Sequence, residues 1–117
     1  MTRKNLHAKD RVVLVGTGFG VWEGGRHRAS ARWSDVSRVR AFKQDEAKSD
    51  LVCVAVGLRD GSEILVHEEV PGFEPFLAAA ESRLPGMQRR SAWWPAVVQP
   101  GSAPNETLLF ERRSTEF

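Results

Sequence analysis

The sequence predicts an α+β fold, an antiparallel β-sheet or partly open barrel carrying one long amphipathic helix at about residues 73–84. Three observations lead there. Leu51 to Leu58 is an almost unbroken apolar run rich in valine, the pattern of a strand covered on both faces. Short alternating segments, separated by turn-forming residues, precede and follow it. Phe73, Phe76, Leu77, Ala80 and Leu84 stand at i, i+3, i+4, i+7 and i+11, which places them on one helical stripe. Together they predict about five to seven strands and one helix packed across them.

Residues 1–10, MTRKNLHAKD, read as a flexible basic lead-in, and 113–117 as a frayed end, with a single β-rich domain over 11–112. Val12 to Gly20 (VVLVGTGFG) resembles a dinucleotide-binding loop only superficially. Its glycines are spaced G-x-G-x-G, and the following VWEGGRHR cannot start the helix whose N-terminus receives a pyrophosphate. Glycines at these positions suit a bulge or a sheet corner better. Phe19–Glu23 and Arg26–Trp33 then read as strands around Gly24-Gly25, and Ser34-Asp35 turns the chain into a third strand, Ser37–Lys43.

Alternation in these strands sets His27, Ala29, Ala31 and Trp33 against Arg26, Arg28, Ser30 and Arg32, and Val39 and Ala41 against Arg38, Arg40 and Phe42. If the apolar sets share a face and no bulge intervenes, Arg26, Arg28, Arg32, Arg38 and Arg40 line the other face. Gln44–Asp50 is a polar connection. In the central hairpin Val52, Val54 and Val56 point to one side and Leu51, Cys53 and Ala55 to the other. Arg59-Asp60-Gly61-Ser62 supplies the turn, and Glu63–Glu69 is the return strand.

Pro71-Gly72 ends that strand and opens the helix. Pro75 is tolerable in the first turn, where N–H groups lack intrahelical partners, and Glu74 complements the helix dipole. The stripe is expected to pack on the Leu51–Leu58 strand, and Pro85-Gly86 stops the helix. Met87–Arg90 is a basic link. Trp93 and Trp94 lead the last strongly apolar segment, where at least one indole should anchor the tail. Gln99–Asn105 is a loop by composition, and Thr107–Phe110 reads as a short edge strand.

Hydrophobic content of 41% and charge content of 27% are those of a water-soluble globule. No apolar run approaches the roughly 20 residues that cross a bilayer, and the charged start has no signal-peptide core. The only cysteine, Cys53, fits a reducing, cytoplasmic setting. The sequon Asn105-Glu106-Thr107 carries no meaning there. A net charge of +2 conceals ten Lys/Arg against three Asp/Glu in residues 1–44, and seven against twelve in the remainder. Such asymmetry suits a polyanionic partner. It equally suits basic strands lying beside acidic ones.

No catalytic, metal or cofactor constellation emerges. His7, His27 and His67 are scattered; His67 and Glu69 share a strand side, but two ligands from one strand fall short of a site. Cys53 lies in an apolar run without a base, where thiol reactivity falls, and no serine occupies a G-x-S-x-G elbow. The arginine set, with Phe42 as its one aromatic, is the first place to look for an anion such as a phosphoinositide-like group. Single-stranded nucleic acid usually meets more aromatics than that.

The order of antiparallel strands, one helix after them and a basic strand pair near the start resembles the pleckstrin-homology-like fold as small bacterial proteins use it. The segments WSDVSRVRAFK, DLVCVAVGLRDG, EEVPGF and WPAVVQPGSAPNETLLFER are similar to an uncharacterised bacterial protein family of that fold. In this chain the helix precedes a tail instead of closing the sequence. The resemblance implies a binding module for anionic lipids or peptides and no activity. The expected function is therefore non-catalytic binding, of an anionic ligand on the arginine-lined face. The alternative is an immunity- or inhibitor-type protein that engages one dedicated protein partner, with Trp93 and Trp94 as contacts.

Overall fold

The computed structural model describes residues 10–45, 50–98 and 106–112. It is an α+β arrangement of two antiparallel sheets and two helices. The first sheet holds β1 (Arg11–Val15), β2 (Gly18–Glu23) and β3 (Arg26–Arg32), in that order. A 3-10 turn, Trp33–Asp35, carries the chain into the second. There β4 (Val36–Asp45), β5 (Asp50–Leu58), β6 (Glu63–His67) and β7 (Thr107–Glu111) stand in the order β6-β5-β4-β7. The sheets do not close into a barrel. The leading stretch 1–9, the connections 46–49 and 99–105 and the end 113–117 lie outside the described residues.

β5 is the buried strand its composition predicts. Val52, Val54 and Val56 pair with Lys43, Ala41 and Val39 of β4 and face the core. Leu51, Cys53 and Ala55 on the opposite side are buried as well. They are small or end-of-strand residues in an interior strand, so longer neighbours on β4 and β6 lean over them.

The helical stripe is also present. In α1 (Phe73–Arg83), Phe73, Phe76, Leu77 and Ala80 are buried, and Leu84 follows at the C-cap. Phe76 sets its ring 5.1 Å from Phe19 and 6.0 Å from Trp33, and those two rings lie 5.0 Å apart. This aromatic cluster joins the first sheet, the turn that leads to the second, and the helix. The backbone of α1 runs against β1, because its start is stitched there: Val12 donates its N–H to the Pro71 carbonyl at 2.9 Å. Gly72 serves that junction. Its φ is 93°, and a Cβ would come within 2.1 Å of the Val12 carbonyl oxygen.

One expectation is corrected. The described residues hold two α-helices, not one long one: α2 (Arg90–Val98) follows α1, with Pro95 inside it. Trp93 and Val97, four residues apart, share a stripe and are buried. Pro95 is exposed, and burial of the stripe outweighs its missing N–H. β7, expected as an edge strand, pairs with β4 at the border of the second sheet. Arg112 fastens its end by donating to the Val36 and Trp33 carbonyls at 2.9 and 3.1 Å.

Candidate functional site

The five arginines are divided between the sheets. Arg26, Arg28 and Arg32 lie on β3, and Arg38 and Arg40 on β4. A bulge also breaks the alternation within β3. Val21 pairs with Ala29 and Trp22 with His27, so Arg28 is opposite no residue. His27 thereby joins Trp22, its ring 5.0 Å away, and Arg26 falls opposite Glu23. The structure does not bring the five onto one face.

Their charge environments differ as much as their places. On β4, Arg40 sits between two carboxylates. Its Nε and Nη2 donate to Glu63 at 3.1 and 3.2 Å, and its Nη1 donates to Glu106. To reach Glu63 it crosses β5 above Ala55, its direct partner, and the small side chains of Ala55 and Gly57 leave room. Partial burial works against the guanidinium charge, but the bonds to Glu106 and Glu63 more than offset it and hold its pKa above the usual arginine value. Arg28 faces Glu23 at 3.4 Å, both well exposed. Arg26, Arg32 and Arg38 form no ion pair among the described residues.

Arg32 lies on a border strand. β3 is the last strand of its sheet, and no described strand pairs with its outer edge. The direction of its main chain can be traced. Trp33 donates its N–H to the Thr17 carbonyl at 2.9 Å, and the Ala31 carbonyl points at Gly18, where a Cβ would lie 1.8 Å from it. Residues 31 and 33 therefore turn their backbone groups towards β2. By alternation, those of Ser30 and Arg32 turn away from the sheet.

Two adjoining depressions follow this edge. One, of about 410 Å³, is lined by Ser30, Ala31, Asp35, Leu58, Arg59 and Asp60. The other, of about 250 Å³, shares Ser30, Ala31 and Asp35 and extends to Arg32 and the β1–β2 turn. The far wall is the β5–β6 hairpin, held by Arg59 N–H on the Asp35 carbonyl at 3.0 Å. On it Arg59 meets the Asp35 carboxylate at 3.4 Å. Asp60 accepts from the Ser62 hydroxyl at 2.6 Å and backbone N–H at 2.9 Å, which hold its pKa below the ordinary carboxylate value.

A second surface is the outward face of the four-stranded sheet. Leu65 is 57% exposed and Leu108 42%. They flank the Ala55–Arg40 pair in one cross-strand row, with Phe42 beneath the Arg40 guanidinium at 5.2 Å.

The tryptophans sit elsewhere. Trp93 is 1% exposed, within the core. Trp94 is half-buried between Phe73 and the Arg90 guanidinium, 4.0 Å from its ring centre. The pair seals α2 to the fold. Among the described residues no group of three His, Cys, Asp or Glu could hold a metal ion, and no helix is long and apolar enough to cross a membrane. Sequence reasoning missed the groove, because its walls come from segments whose adjacency only the strand order reveals. Comparison with protein-family models, curated proteins and solved structures finds no match to this chain.

Proposed function

We propose that this is a non-catalytic binding domain whose ligand is anionic and docks along the outer edge of β3. The observation that supports it is the contrast between arginines. Arg40 is already compensated by Glu63 and Glu106, whereas Arg32, beside an open groove and an unpaired strand edge, has no carboxylate among the described residues. A cationic group without an internal partner contributes its full charge to an incoming anion. The bacterial, pleckstrin-homology-like setting belongs to the same proposal and draws on the resemblance of the sequence segments; the cytoplasmic one draws on the single, buried Cys53.

The test is a heteronuclear NMR titration with inositol hexakisphosphate and a short single-stranded oligonucleotide, at low and at physiological salt. Shifts centred on Arg26–Arg32 that weaken as salt rises support the reading. No response at low salt to these anions or to an acidic peptide refutes it.

The second reading, an immunity- or inhibitor-type protein with one protein partner, draws on the exposed Leu65 and Leu108. On this reading the four-stranded face is the contact surface, and Leu65→Glu abolishes partner binding while leaving the β3 response intact.

A further inference from the structure

Resting on the proposed docking along β3, we infer that the ligand is an extended acidic peptide segment that adds to β3 as a further strand. Three independent features converge on this. The backbone groups of Ser30 and Arg32 point off the sheet, and no described strand meets them. Such an edge is a template for main-chain pairing. The groove lies directly beside them, with Ser30 and Ala31 in its lining. The charge of the edge selects the occupant, since Arg26 and Arg32 form no ion pair among the described residues.

Edge strands are commonly blunted by charges and bulges, and the first half of β3 fits that description, with its bulge at Arg28. The second half does not. From Ala29 to Arg32 the pairing with β2 is regular, so the strand runs straight for about four residues, close to the length of a short strand, and the outward groups of Ser30 and Arg32 meet no described strand. The side chains specify the rest. Ser30 and Arg32 are exposed, while Ala29 and Ala31 turn inwards and pack against the core. A strand laid alongside meets the same alternation. Its residues beside Ser30 and Arg32 carry carboxylates, and those beside Ala31 and Leu58 are small and apolar. Arg59 of the far wall is paired with Asp35, whereas Asp60 beside it keeps its negative charge, so an acidic ligand is drawn to the Arg32 side of the groove and kept off the hairpin.

The experiment uses the full chain and the peptide acetyl-Glu-Val-Glu-Val-Glu-Val-Glu-amide, with two analogues N-methylated at every Glu or at every Val. Amide hydrogen exchange and NMR shifts are read together. Strand addition predicts that saturating peptide slows exchange of the Ser30 and Arg32 amides by roughly tenfold or more. It also predicts that one methylated analogue loses binding while the other retains it, since only one peptide edge can face β3. Arg32→Glu weakens the peptide by roughly tenfold.

Arg32 side-chain shifts without exchange protection, or equal binding of both analogues, would overturn strand addition and leave anion docking standing. Preference for the oligonucleotide, with no peptide binding, would overturn it likewise. Absence of any response to peptide, oligonucleotide or inositol phosphate would overturn both.

Discussion

The Ala31 carbonyl of β3 lies so close over Gly18 of β2 that a Cβ on Gly18 would come within 1.8 Å of its oxygen. This contact fixes the height at which β3 rides on the sheet, and with it the direction of the Ser30 and Arg32 backbone. Gly18→Ala must push β3 outwards, at a cost of about 1–3 kcal/mol by analogy with overpacked cores. Gly72→Ala is expected to cost at least as much, because it adds a positive φ to an approach of 2.1 Å to the Val12 carbonyl. Urea unfolding of the two variants measures both.

The ring cluster of Phe19, Trp33 and Phe76 joins the first sheet, the turn between the sheets and α1. Phe76→Ala should cost about 3–5 kcal/mol, seen as a lower urea midpoint with little change in slope. Trp93→Ala falls in the same range. Trp93→Phe should cost much less, because the indole Nε1 is buried without a hydrogen-bond partner among the described residues and its loss removes an unsatisfied donor.

Arg40 is the arginine with most to lose and least to offer. Its side chain is 26% exposed and bonded to two carboxylates. Partly exposed pairs contribute little each, so Arg40→Met should cost no more than about 1 kcal/mol. The diagnostic is its salt dependence: wild-type stability should fall slightly as salt rises, and the variant's should fall less.

Asp60 accepts two bonds from Ser62, and its pKa is lowered first by the hydroxyl and then by the backbone N–H. A group whose folded pKa lies below its unfolded value contributes stability above the unfolded pKa. That contribution disappears as pH falls through the folded pKa, below about 4 for an aspartate. Carboxyl NMR titration should place Asp60 below the ordinary aspartate value, and Ser62→Ala should return it upwards.

Much of the fold is legible in one dimension. The β5 run and the α1 stripe announce themselves because their periods are those of burial, and both appear where the residues place them. α2 is harder to see: Pro95 argues locally against a helix, and only the burial of Trp93 and Val97 reverses the balance. The division into two sheets is hidden because Ser34-Asp35 turns the chain whether β4 rejoins β3 or leaves it. Here the turn buries Trp33 and leads away.

The arginine set shows the same limit more sharply. Alternation of RHRASAR is a valid inference until a bulge intervenes, and nothing in the solvated first half of the strand resists one. Arg26, His27 and Arg28 are all exposed, so no apolar register pins the first half of β3. Likewise the bonds from Arg40 to Glu63 and Glu106 join residues from β4, the start of β6 and the approach to β7, a proximity that exists only once the order β6-β5-β4-β7 is known.

The most direct measurement is the affinity for inositol hexakisphosphate, at low salt, of the wild-type chain, Arg32→Gln and Arg40→Gln, each checked for folding by circular dichroism. The account predicts a loss of roughly tenfold for Arg32→Gln and no loss for Arg40→Gln, whose guanidinium is already bound. Equal losses in both would mean that the arginines act as one diffuse field. Loss in Arg40→Gln alone would place the site on the four-stranded sheet and contradict the assignment to β3.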